Sequence, residues 1–449
     1  PIGDGILARP MLFNPVQGSW VTLIKADRPG VVSRHRHPAP VTGYTLEGAW
    51  GYLEHDWTAT PGSFLFEPAG ETHTLVVDPE VGHMKCLFHN FGPLIFVDAE
   101  GNQTGYDDVF TRLEKFKAHY EANGLCEELT PTGTEVLVRV THAGVCHSDI
   151  HISDGYFDLG GGKKLDIIAR GQRLPVTLGH EVLGEVIAAG PDAKDAPIGK
   201  TMLVHPWLGC GECSACKAEQ ENHCPTMRSI GIFRDGGYAT HCLVPHPKYL
   251  VDIGDVDPTV ATPYSCSGVT VYSALKKALP VLDTEWLAIF GAGGLGLSAV
   301  SIAKGMGVKN VISVDIDDEK LAAAKATGAD AVLNSKTAEN AIAELQKIAG
   351  GELRAVVDTV GGEATSGTAL GAIRKGGRYV IVGLYGGELT ISLPTIPMRA
   401  ISIMGSYVGS LGELKELMEL VKAGKVKPIP METRPLETAY DTLQDLKAG

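Results

Sequence analysis

No run in this 449-residue sequence approaches the roughly 18 consecutive apolar residues that a membrane-spanning helix needs. No positively charged, then apolar leader opens it, and the cytoplasm is the expected location. Cationic residues are scarce as well: 39 Lys and Arg stand against 53 Asp and Glu, a formal net charge of -14. Nucleic-acid and anionic-membrane surfaces draw their affinity from clustered cations, so neither is expected as a partner. Internal repeats and low-complexity tracts are missing too. What remains is 44% hydrophobic and 20% charged, with 55 glycines, the balance of a globular protein. At about 150 residues per domain, the length predicts three units.

From Val21 to about Val97, short β-rich runs such as Trp20-Val21-Thr22-Leu23-Ile24 and Ser63-Phe64-Leu65-Phe66 alternate with turns at Pro29-Gly30, Pro61-Gly62 and Ala69-Gly70. That pattern predicts an all-β barrel or sandwich. Helical spacing of Val109, Leu113, Phe116 and Tyr120 predicts a helix ending on Asn123-Gly124, which closes a first domain near residue 125. A second β-rich region runs from Glu135 to about Pro245. After about Thr270, strand candidates at 287–290, 311–314, 355–357 and 379–382 alternate with alanine-rich helices, the signature of βαβ units on a parallel sheet.

The nine cysteines matter through their spacing. Cys210, Cys213, Cys216 and Cys224 offer four soft thiolates in one short segment, as a closed tetrahedral zinc site requires. Free cysteines or disulfides are the competing readings; the bend at Gly209-Cys210-Gly211 favours metal. A catalytic metal keeps an open position and needs fewer protein ligands. Cys146, His180 and Cys266 are candidates, set in Gly144-Val145-Cys146-His147-Ser148-Asp149-Ile150-His151, Gly179-His180-Glu181 and Tyr264-Ser265-Cys266-Ser267-Gly268. Farther on, Gly291-Ala292-Gly293-Gly294-Leu295-Gly296 follows a predicted strand and opens a predicted helix, a turn whose glycines admit a pyrophosphate to the helix N-terminus. Asp315, at the end of the next strand, suits a ribose 2'-hydroxyl and repels a 2'-phosphate, which predicts NAD over NADP. Asp317 and Asp318 read as a solvated acidic turn.

In this order, these segments resemble the zinc-containing medium-chain alcohol dehydrogenases, especially the tetrameric microbial type, over about residues 131–449. The resemblance implies a GroES-like β domain at 126–265, a Rossmann NAD-binding domain at 266–405 and a return to the catalytic domain at 406–449. It makes Cys146, His180 and Cys266 ligands of a catalytic zinc and the four clustered cysteines ligands of a structural one. It places Asp149 behind His180 and Glu181 behind the metal, gives Ser148 and His151 the outward transfer of the alcohol proton, and sets Trp207 in the substrate pocket. The family normally has a strand pair before the segment at Thr132 and a final strand after the last helix, and neither is visible here.

In the first domain, alternation puts His35 and His37 on one face of a strand, and Gly62-x5-Pro68-x-Gly70-x2-His73 follows. The two segments resemble the cupin motifs, closest to 2,4'-dihydroxyacetophenone dioxygenase-like proteins, in which three histidines hold a non-haem iron. The glutamate that many cupins place after the second histidine is absent; Val41 and Thr42 stand there, and Glu47 lies farther on. The expected function is zinc-dependent, reversible oxidation of a small alcohol to an aldehyde or ketone with hydride transfer to NAD, in a homo-oligomer. The alternative is a cupin-type Fe(II) dioxygenase cleaving an aromatic hydroxyketone.

Overall fold

Strand Met84–Asn90 buries every second residue, Met84, Cys86, Phe88 and Asn90, because successive side chains of a strand point to opposite faces and only one face meets a core. In the computed structural model, which describes residues 5–15, 17–122, 130–172 and 174–448, it is the centre of an antiparallel sheet. The order is Ile6–Asn14, Ser19–Ala26, Met84–Asn90, Val41–Gly48 and Phe64–Glu67. A second antiparallel sheet runs Gln103–Asp107, Leu94–Val97, Gly30–Arg36, Thr72–Val77 and Trp50–Tyr52. Trp50, Tyr52, Leu75 and Val77 of this sheet pack with Met84, Cys86 and Phe88 of the first, giving one cupin-like core. Full burial of such side chains contributes about 1.5–3 kcal/mol each. The helix Val109–Ala122 buries Val109 and Phe116 and sets Phe116 5.9 Å from Phe13. Its expected stop, Asn123-Gly124, lies outside the described residues.

Contacts divide the chain into Pro1–Glu128 and Leu129–Gly449. The second unit opens with an antiparallel sheet ordered His241–Val244, Val136–Gly144, Glu181–Ala189, Thr201–Val204 and Leu250–Asp252. Its parallel sheet then runs Ala331–Asn334, Val311–Asp315, Trp286–Phe290, Leu353–Asp358, Arg378–Ile381 and Ser402–Gly405. These central strands are continuous apolar runs because helices cover both faces. Leu287 and Ile289 point into one core and Ala288 and Phe290 into the other. The chain leaves Trp286–Phe290 for one side of the sheet, then crosses back for the other, and such a switch point opens a ligand crevice at the strand's C-terminal end. Among the described residues no strand follows Ser402–Gly405. Helix Leu411–Lys422 buries Leu414, Leu417 and Met418 against helix Ser267–Ala278, and helix Ala439–Ala448 lies along helix His147–Asp154. No helix among the described residues is long and apolar enough to cross a membrane.

Candidate active site and metal centres

Three separate backbone features deliver one cluster. Cys146 caps the helix His147–Asp154, Cys266 caps the helix Ser267–Ala278, and His180 immediately precedes the strand Glu181–Ala189. Together with Glu181 they bring ligand atoms within 4.8 Å of one another. His180 Nε2 lies 3.3 Å from Cys266 Sγ, and its Nδ1 is 2.9 Å from Asp149 Oδ1. That second contact leaves Nε2 as the ring atom available to a metal, since a carboxylate commonly sits behind a metal-bound imidazole. Burial lowers the basicity of His180, but the Asp149 charge and hydrogen bond outweigh it and raise its pKa. The Cys266 sulfur hydrogen-bonds Cys146 and, against the cost of burial, holds Cys146 toward the thiolate, the form that binds metal. Burial pushes the Glu181 carboxyl well up. Two thiols, one imidazole and a nearby carboxyl fit a zinc ion with a free position.

Tyr238 is a member that sequence reasoning missed. Its hydroxyl donates to Asp149 Oδ2 at 2.9 Å, while backbone bonds from Gly236, Gly237 and Tyr238 lock its loop onto residues 177–179, just before His180. Ser148 and His151 lie on the same helix, three residues apart, and no side-chain hydrogen bond joins the two. The His151 ring sits 5.0 Å from Phe157. Trp207 is buried, donates its indole N–H to the Ser265 carbonyl at 3.1 Å and brings its ring 5.6 Å from that of His180. With Ile152, Ile167, Ile232 and Val408 it forms an apolar shell that also packs Cys146 and Cys266.

The second cysteine cluster is more regular. Cys210, Cys213, Cys216 and Cys224 place their sulfurs within 4.8 Å of one another, with Cys213 to Cys216 at 3.4 Å and Cys210 to Cys216 at 3.9 Å. Four sulfurs about 2.3 Å from a tetrahedral zinc stand roughly 3.8 Å apart, so the spacing fits. Backbone N–H groups of Glu212 and Cys213 pull the Cys210 thiol down to about 6, whereas burial pushes Cys216 up to about 12. Glu221, also missed, ties this loop down by accepting from Gly209 N, Lys248 Nζ and the Tyr249 hydroxyl.

At the switch point of the parallel sheet, Gly291 adopts a φ of +89°, and a Cβ on Gly296 would sit 1.9 Å from the Gly291 carbonyl oxygen. A Cβ on Gly293 or Gly294 meets nothing within 4 Å, so these two border open space at the start of helix Gly294–Gly305, as a pyrophosphate cradle does. Asp315 closes the neighbouring strand and accepts the Ala292 N–H at 2.6 Å. Asp317 is not merely a solvated acid: it caps helix Asp318–Thr327 by accepting from Glu319 and Lys320 N–H groups.

In the first unit, His35 and His73 are cross-strand partners, and His37 follows just beyond the strand end. All three are buried. The tight cluster, with ligand atoms within 4.8 Å, is His37, Glu67 and His73. Glu67 was not expected there. Glu47 stays at the surface, 2.8 Å from Lys85.

Residues 132–255 match the family described as alcohol dehydrogenase GroES-like domain, 294–423 match zinc-binding dehydrogenase, and 1–95 match the ChrR cupin-like domain. An NAD-dependent alcohol dehydrogenase of Sulfurisphaera tokodaii is 38% identical over 320 residues, 71% of this chain and 90% of that protein. An alcohol dehydrogenase of Geobacillus stearothermophilus is 37% identical over 70% of this chain and 89% of its own. Among solved structures, the alcohol dehydrogenase of Aeropyrum pernix shares 30% identity with a TM-score of 0.63, covering 70% of this chain and 89% of that one. The acetophenone reductase of Geotrichum candidum, solved with NAD, shares 29% identity with a TM-score of 0.61 over 79% and 93% of the two chains.

Proposed function

Because this chain belongs to the zinc-binding, NAD-dependent alcohol dehydrogenases, we propose which of its residues carry that family's oxidation of an alcohol to an aldehyde or ketone. The observation that carries the assignment is the convergence of Cys146, His180 and Cys266 in one buried cluster, with Asp149 hydrogen-bonded behind His180. These three hold the catalytic zinc, and Cys210, Cys213, Cys216 and Cys224 hold a structural one. When bound, zinc supplies the Lewis acidity that lowers the pKa of an alcohol hydroxyl. Asp149 fixes the His180 ring, and Glu181 places a second carboxyl close by. Ser148 accepts the alcohol proton and His151 passes it outward, with a hydroxyl or water between them. Trp207 and its apolar neighbours exclude water and narrow the space offered to substrate. The turn Gly291, Gly293, Gly294 and Gly296 cradles the NAD pyrophosphate, and Asp315 faces the ribose.

We take 126–265 and 406–449 as the catalytic domain and 266–405 as the cofactor domain. Thiolate sites of this kind persist in a reducing compartment, which favours the cytoplasm. The two sheets of the first unit are read as a closed cupin barrel. Its buried histidines, His35, His37 and His73, favour a second reading, a Fe(II) dioxygenase of an aromatic hydroxyketone. An alcohol panel with NAD under nitrogen separates the two: NADH formation is expected, and its absence alongside oxygen uptake with a hydroxyketone would reverse the order.

A further inference from the structure

Alcohol oxidation leaves one buried polar cluster unused. His37, Glu67 and His73 are 1%, 3% and 0% exposed. Glu67 Oε2 lies 2.8 Å from His37 Nε2 and 3.4 Å from His73 Nε2, yet none of these three atoms makes a hydrogen bond of acceptable geometry. Leaving polar atoms buried and unsatisfied costs about 1–3 kcal/mol each, so the cluster asks for a missing partner.

The surroundings turn those atoms toward a common centre. His37 Nδ1 is 2.8 Å from the Ala39 carbonyl, which makes Nδ1 a donor and turns Nε2 toward Glu67. The other carboxylate oxygen of Glu67 accepts the Tyr52 hydroxyl. The ring of Tyr52 also stacks on His73 with centroids 3.8 Å apart, so one tyrosine holds two members of the cluster. Ligands about 2.1 Å from an ion, at right angles to one another, stand roughly 3 Å apart, and the two measured separations bracket that value. His35 borders the group: its Nδ1 lies 3.1 Å from Ser33 Oγ, and its ring is 4.9 Å from that of His73 and 6.1 Å from that of His37.

We propose that Glu67, supplied by the second cupin-like motif, is a metal ligand and completes with His37 and His73 a two-histidine, one-carboxylate face for Fe(II). This rests on the reading that the cupin-like unit holds a metal, and it replaces the three-histidine set implied by resemblance. The charge argument favours it. Three neutral imidazoles leave a buried dication uncompensated, whereas one carboxylate halves its net charge. Two imidazoles and a carboxylate on one face also leave positions open for oxygen and an organic ligand, the arrangement of non-haem Fe(II) oxygenases.

The test uses the whole 449-residue chain, zinc-loaded and titrated with Fe(II) under nitrogen. Bound iron is counted after equilibrium dialysis, and its nitric oxide adduct is examined by electron paramagnetic resonance. The parent is expected to bind one iron beyond its zinc. Glu67→Gln should weaken iron binding at least about tenfold and alter the resonance, while His35→Ala keeps its affinity within about threefold. A parent that binds no iron overturns the metal reading and this proposal together. A parent that binds iron while Glu67→Gln binds it equally, with an unchanged signal, overturns the proposal alone, as does loss of iron in His35→Ala only. Should Glu67→Gln fail to fold, Tyr52→Phe keeps the carboxylate and removes its donor. Its nitric oxide signal should shift, and an unchanged signal counts against the ligand assignment.

Discussion

Tyr238→Phe removes a single oxygen atom from the site and tests whether Asp149 is held from behind. The Asp149 carboxylate is fully buried and faces His180 Nδ1 at 2.9 Å, the Tyr238 hydroxyl at 2.9 Å, Cys146 N at 3.1 Å and Gly179 N at 3.4 Å. A hydrogen bond to a charged group contributes about 1.5–3 kcal/mol. Three other donors remain, and phenylalanine keeps the ring in place, so we expect the lower end of that range, about 1.5 kcal/mol, which is roughly tenfold. That matches the 10–100-fold losses in affinity or activity typical of groups that orient metal ligands. Zinc affinity is read by competition with a coloured chelator, geometry by the visible spectrum of the cobalt-substituted protein, and turnover by kcat and KM for alcohol and NAD. Zinc affinity and kcat should fall together while KM for NAD stays put, since the tyrosine is remote from the glycine-rich turn in sequence and bonding. Zinc affinity and kcat both within about twofold of the parent would refute the positioning role.

Cys146→Ala should abolish alcohol oxidation while leaving the melting temperature near that of the parent, because an open site with few protein ligands contributes less to folding than a closed one; Cys213→Ala should lower it, and zinc content with calorimetry distinguishes the two. Asp315→Ser should raise the NADP/NAD ratio of kcat/KM by removing charge that repels a 2'-phosphate, and an unchanged ratio would mean that the carboxylate serves only the backbone N–H groups of Ala292, Ile316 and Asp317 that it accepts.

What was legible in the sequence was local. The four cysteines sit on one short loop, and the glycine-rich turn joins one strand to the next helix, so spacing alone carries their chemistry. Cys146, His180 and Cys266 are far apart in sequence and were found only through the segments around them. Tyr238 and Glu221 escaped notice because their work is done on partners brought close by folding: Tyr238 reaches Asp149 through a loop docked on 177–179, and Glu221 reaches Tyr249. Glu67 was overlooked because a carboxylate was sought after His37, where Val41 and Thr42 stand. The strand that carries Glu67 delivers it from across the fold instead.

Strand Ile6–Asn14 was missed for another reason. It carries Pro10, and its register shifts between Pro10 and Leu12, a combination tolerated at a sheet edge but unreadable as alternation. Ala331–Asn334 and Ser402–Gly405 are four-residue edge strands, too short to show a period. By contrast, the central strands of the parallel sheet stood out as apolar runs because both of their faces are buried.

The central claim, hydride transfer from an alcohol carbon to NAD at a thiolate-and-imidazole metal site, is tested most directly with an alcohol deuterated at the carbinol carbon. The protein, zinc-loaded and under nitrogen, is incubated with NAD and the labelled alcohol, and the reduced cofactor is analysed by mass spectrometry and nuclear magnetic resonance. The account predicts one deuterium per NADH, at C4 of the nicotinamide ring, and loss of the reaction in Cys146→Ala. Unlabelled NADH, or labelled NADH formed equally well by Cys146→Ala, would contradict it.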